Sequence, residues 1–143
     1  MTKPDPVNHP SHYDRCDTHP SGVECIEIVE CMPFCWGNAF KYLYRAEHKA
    51  KLAEDYRKAA WYLRRAAKWD AVPWNIEAGS VLHELLQAWR DGEAKPRKRV
   101  LSMLIDAALQ QPGDSTQLSR LLEAATQLEA MALLIEEEQE GCT

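Results

Sequence analysis

From Val23 to Glu138 the apolar residues recur at intervals of three and four. No stretch of useful length alternates apolar with polar residues, so the predicted fold class is all-α. Val23–Cys31 reads as a short helix ended by Pro33, with Glu24, Glu27 and Glu30 on one side and Ile26 and Val29 on another. Phe34–Gly37 reads as a compact link into a helix over Asn38–Lys49, whose Phe40 and Leu43, with Trp36 before them, face a core. After a connector at Ala50–Ala53, a second long helix is predicted over Glu54–Trp69. Its stripe is Tyr56, Ala59, Ala60, Leu63 and Ala67, small enough for a neighbouring helix to approach closely. Further helices are predicted over Ile76–Arg90, Pro96–Leu109 and Thr116–Glu138, the last with Ser115 as N-cap.

Three regions follow from this pattern. Residues 1–22, rich in Pro, His, Asp and Ser, read as a loop segment with a short extended piece at His12–Tyr13. Residues 23–69 form a compact three-helix unit, and residues 70–143 a helical C-terminal extension that begins at the break Asp70–Trp74. In the last helix Leu118, Leu121, Leu122, Ala125, Leu128, Met131, Ala132 and Ile135 follow near-heptad spacing. That stripe serves either as an oligomerisation seam or as an ordinary core-facing surface. A single copy of residues 23–69 buries little apolar surface, so a homo-oligomer is expected, and the acidic extension also suits a host-protein partner.

Charge sharpens the picture. The net charge is −5, yet residues 41–69 hold nine basic and three acidic side chains, while the segments on either side are acidic. This argues against general DNA coating and for a localised anion site. No apolar run reaches membrane-span length, and MTKPDPVNHP lacks the apolar region of a secretory leader. With five cysteines, an odd number, the expectation is reduced thiols in the cytoplasm, of a bacterial host cell if the resemblance described below holds.

Candidate chemistry centres on NAFKYLYRAEHK. Asn38, Lys41, Tyr42, Arg45 and Lys49 share one helix face, an amide, a phenol and three cations in a row. Such a face suits phosphate, because Arg and Lys donate charge-assisted hydrogen bonds to its oxygens. The alternative is a solvated face with a snorkelling Tyr. The chain lacks GxxxxGK[ST], G-x-S-x-G and HExxH, so phosphoryl chemistry would rest on side chains. His9, His12, Cys16, Cys25, Cys31 and Cys35 lack the paired CxxC spacing of a zinc knuckle, and zinc is not expected. Glu24, Glu27 and Asp55 are candidate Mg²⁺ ligands, in the manner of all-α nucleoside triphosphate pyrophosphohydrolases; the alternative is a solvated acidic face.

Four collinear blocks carry a resemblance: VNHPSHY (7–13), GVECIEIVE (22–30), FCWGNAFKYLYRAEHK (34–49) and EDYRKAAWYL (54–63). Together they are similar to the SaV-like family of small phage proteins, domain-of-unknown-function family 3310, over about residues 7–65. That family in turn resembles a phage deoxynucleoside monophosphate kinase that also lacks a P-loop. Glu47 stands where the family often has glycine, and residues 70–143 have no counterpart in it. The resemblance implies nucleotide binding and phosphate transfer from a nucleoside triphosphate donor. Its matching positions are His12, Tyr13, Glu24, Glu27, Asn38, Lys41, Tyr42, Arg45, Lys49, Asp55, Lys58 and Tyr62. In that reading His12, Lys41 and Arg45 are catalytic, with His12 moving the proton, and Tyr13, Asn38, Tyr42, Lys49, Lys58 and Tyr62 complete the substrate site. An Mg²⁺-dependent pyrophosphohydrolase and a non-enzymatic module that binds a nucleotide or a host protein are the alternatives.

Overall fold

Helix α1, Cys25–Val29, is fixed by a reciprocal capping box: the Glu27 carboxylate accepts from the Glu24 backbone N–H at 2.8 Å, and the Glu24 side chain accepts from Glu27 N–H. The computed structural model describes residues 21–46, 51–68, 73–93 and 95–141, and among them it is all-α. Helix α2 spans Phe34–Arg45, so Phe34–Gly37 is its first turn and not a link. Pro33 stands at the N-cap with φ −59°, and its carbonyl accepts from Gly37 N–H at 2.8 Å, which nucleates the turn.

Helix α3 covers Leu52–Lys68. Helix α4, Val81–Asp91, starts five residues later than the apolar spacing from Ile76 predicts. Two bonds explain the delay. Ser80 accepts from His83 N–H as N-cap, and Ile76 N–H donates to the Ala108 carbonyl, which holds the preceding segment extended against α5. Helix α5 is Lys95–Leu109 and α6 is Ser115–Gly141. The cap of α6 is Asp114, not Ser115: its carboxylate accepts from Thr116 N–H at 2.8 Å and its carbonyl from Leu118 N–H.

Alanine governs the packing. Ala39 of α2 and Ala59 and Ala60 of α3 are wholly buried, and α3 packs against both α2 and α6. The side of α3 nearest α6 carries Arg57 and Arg64, which pair with Glu136 at 2.7 Å and Glu129 at 2.5 Å. As the α3 partner advances seven residues the α6 partner recedes seven, so α3 and α6 run antiparallel. These pairs are exposed and screened by water, so they set register more than stability.

Much of the α6 stripe faces the core of the chain. Leu121, Ala125, Leu128 and Ala132 are buried, Leu118, Met131 and Ile135 are partly covered, and Leu122 is exposed. Residues on both sides of the Asp70–Trp74 break share one core. Trp36 packs on Trp74 at 4.7 Å, and Phe40 and Tyr44 pack on Trp89 of α4. Arg97 of α5 crosses the same boundary. It is fully buried, pairs with the Glu93 carboxylate, and donates to the Leu43 carbonyl at 2.7 Å, near the C-terminus of α2. Trp89 Nε1 donates to the other Glu93 oxygen at 2.7 Å. A cation at that end of α2 satisfies a carbonyl the helix leaves open and complements its dipole.

Removing one partner of a buried ion pair strands the other charge. Arg97→Ala is therefore expected to lower unfolding free energy by about 3–5 kcal/mol in urea titrations. A loss below about 1 kcal/mol would show that this bridge does not hold the two halves together.

Candidate anion-binding site

The face formed by α2 and α3 gathers most of the described candidates. On α2, Lys41, Tyr42 and Arg45 lie on one side, and Lys58 and Tyr62 lie one turn apart on α3. The Tyr42 and Tyr62 rings stack with centroids 5.9 Å apart and planes 14° from parallel. Around the Tyr42 ring stand Lys41 Nζ at 4.7 Å, Lys58 Nζ at 5.4 Å and the Arg45 guanidinium carbon at 5.7 Å. Each cation gains about 0.5–1 kcal/mol from the ring at an exposed site, but the three repel one another. A phosphate among them relieves that repulsion and accepts their hydrogen bonds.

Asp55 lies beneath this cluster, buried on α3, and its Oδ2 has no hydrogen-bond partner. Burial raises its carboxyl above the ordinary 3.8, against the opposing pull of Arg45 and Lys58. Glu54 lies 3.5 Å from Lys58 at the exposed rim. The cations of α3 are thus divided. Arg57 and Arg64 face carboxylates of α6, whereas Lys58 and Arg65, also seven residues apart, face the rings.

The other candidates fall as follows. The Asn38 amide donates to the Phe34 carbonyl at 2.9 Å, one turn back along its own helix. Glu24 and Glu27 are engaged in the capping box of α1, apart from Asp55, and no group of three His, Cys, Asp or Glu suited to a metal occurs among the described residues. Cys25 is buried and its thiol is pushed up to about 12 by desolvation, despite nearby Lys41 and Arg45. His12, Tyr13 and Lys49 lie outside the described residues.

Sequence reasoning missed Phe34 and Trp61, which contact Tyr62 edge-on at 6.0 and 5.0 Å, and Arg65, which lies over Trp61 at 5.9 Å. Lys58, Trp61, Tyr62 and Arg65 recur at three-and-four spacing, a signal that was present in the chain.

One comparison with known families gives a match. Residues 7–64 match the family model described as protein of unknown function, DUF3310. The matched segment takes in α1, α2 and most of α3, and so holds Lys41, Tyr42, Arg45, Lys58 and Tyr62. Its description assigns no activity, and no curated protein or solved structure matches the chain. No described helix is long and apolar enough to cross a membrane.

The raised carboxyl of Asp55 gives a signed prediction. The folded state binds that proton more tightly than the unfolded chain, so stability falls as pH rises from about 3.8 through the higher folded value. Asp55→Asn removes this titration. Urea denaturation should show the mutant gaining on wild type between about pH 4 and pH 7, and a difference independent of pH would contradict the assignment.

Proposed function

We propose that this chain is a phage-encoded nucleotide-binding protein, a deoxynucleoside monophosphate kinase-like phosphotransferase that works without a P-loop. The observation that carries the reading is the convergence of Lys41, Arg45 and Lys58 on a stacked pair of tyrosines. Phosphoryl transfer demands positioning and charge neutralisation more than covalent chemistry. The three cations would hold the phosphates, and a tyrosine ring would stack on the base. An oxygen of the monophosphate would attack the γ-phosphorus of a nucleoside triphosphate as the bond to the bridging oxygen breaks, leaving two diphosphates. Any Mg²⁺ would arrive with the triphosphate. His12 is the proton-transfer residue of this reading.

The cationic face favours this over the pyrophosphohydrolase reading, which needs gathered carboxylates where Glu24 and Glu27 are instead tied into a helix cap. The reading includes a homo-oligomer, to which the exposed Leu133 and Leu134 of α6 would offer apolar surface. Light scattering that shows a monomer at micromolar concentration would remove that part.

Incubation with nucleoside monophosphates and a triphosphate should convert monophosphate to diphosphate. Release of pyrophosphate would favour the hydrolase, and binding without turnover a non-enzymatic module. Arg45 provides a second test. Arg45→Ala should weaken nucleotide binding by about 2 kcal/mol, since hydrogen bonds to charged groups contribute about 1.5–3 kcal/mol. Arg45→Lys should recover only part, because an ammonium cannot grip two oxygens of one phosphate as a guanidinium does. Equal affinities across the three proteins by calorimetry would remove Arg45 from the site.

A further inference from the structure

The aromatic surface extends past the ring that the cations surround. Trp61 is 58% exposed and Phe34 is 75% exposed, and both rest edge-on against Tyr62, which in turn stacks on Tyr42. Four rings thus form one connected set, and four cations are interleaved with it: Lys41, Arg45 and Lys58 around Tyr42, and Arg65 over Trp61. An acceptor monophosphate and a donor triphosphate present two bases and their phosphates. Tyr42, Tyr62 and the three cations around Tyr42 serve those, which leaves Phe34, Trp61 and Arg65 in excess.

We propose that the whole face binds single-stranded nucleic acid, with successive bases stacked on the exposed rings and backbone phosphates on the interleaved cations. The inference rests on the anion reading of the Tyr42 cluster and extends it from a nucleotide to a strand. Every base has a π face, so a ring set binds a strand with little regard to sequence, while cations track the backbone. A duplex hides its base faces and would leave Phe34 and Trp61 unused. Charge selects the occupant. The α3 arginines nearest α6 are paired with Glu129 and Glu136, while four cations, Lys58 among them also paired with Glu54, lie against the rings. A polyanion that carries aromatic faces complements that surface, whereas an apolar protein partner would have to desolvate the cations.

The test uses the full chain and a fluorescein-labelled thymidylate strand of about 20 nucleotides, read by anisotropy at low salt. The single strand should bind at least about tenfold tighter than a duplex of equal length. Trp61→Ala and Phe34→Ala, both at exposed positions, should each weaken strand binding by about 5- to 100-fold, because stacking contributes roughly 1–3 kcal/mol per base. Trp61→Phe should restore most of the loss, and thymidine monophosphate binding should survive Trp61→Ala. Four cations limit the slope of log affinity against log salt to about −3, at roughly 0.7 per phosphate contacted. Strand affinity unchanged in both alanine variants, or equal affinity for duplex and single strand, would overturn the proposal. Binding of the monophosphate without binding of the strand would overturn it and leave the nucleotide site standing; binding of neither would remove both. Dissociation of an oligomer by Trp61→Ala with unchanged strand affinity would assign the face to a second copy of the chain instead.

Discussion

The packing of α2 against α3 sets the geometry on which the candidate site depends. Larger side chains in that contact would push the helix axes apart. The two tyrosines, 5.9 Å between centroids, would then no longer stack, and Lys58 would leave the ring of Tyr42. The same helix is held from its other side by α6, through two arginine–carboxylate pairs with matched seven-residue steps. A cationic face needs such a hold, because like charges in a row work against the helices that carry them. Here α3 sends Arg57 and Arg64 to acidic partners on α6, while Lys58, also paired with Glu54, and Arg65 lie against the rings.

The buried Arg97–Glu93 pair explains why the C-terminal region is more than an appendage in packing. A guanidinium in the core is costly unless each of its donors finds a partner, and the Leu43 carbonyl supplies one from α2. That carbonyl lies two residues before Arg45, so α5 steadies the end of α2 that presents it. The family match ends at residue 64, yet the chain beyond it supplies helices that support the matched segment.

Much of this was legible in the sequence. Three-and-four spacing located the six helices found among the described residues, and the 38–41–42–45 row placed Lys41, Tyr42 and Arg45 on one face. The errors have local causes. Pro33 reads as a stop but also serves as the cap from which α2 begins. Ile76 fits an apolar stripe, but its N–H is taken by Ala108, a partner 32 residues away that periodicity cannot reveal. Asp114 outcompetes Ser115 as a cap because its carboxylate reaches Thr116 N–H. Glu24 and Glu27 look like paired metal ligands, while the same spacing of three is that of a capping box, and the backbone has claimed them. Arg97 sits in a basic first turn that the helix dipole disfavours; only the fold reveals Glu93 and Leu43 as its compensation.

The central claim is that the α2–α3 face, and no other surface, receives phosphate. Its most direct measurement is amide chemical-shift mapping of the isotope-labelled chain during titration with a nucleoside monophosphate. The account predicts perturbations concentrated at Asn38–Arg45 and Asp55–Arg65, with α5 and α6 quiet. Perturbations centred instead on the groove lined by Pro96, Arg99, Val100, Gln127 and Met131, or none at saturating ligand, would contradict it.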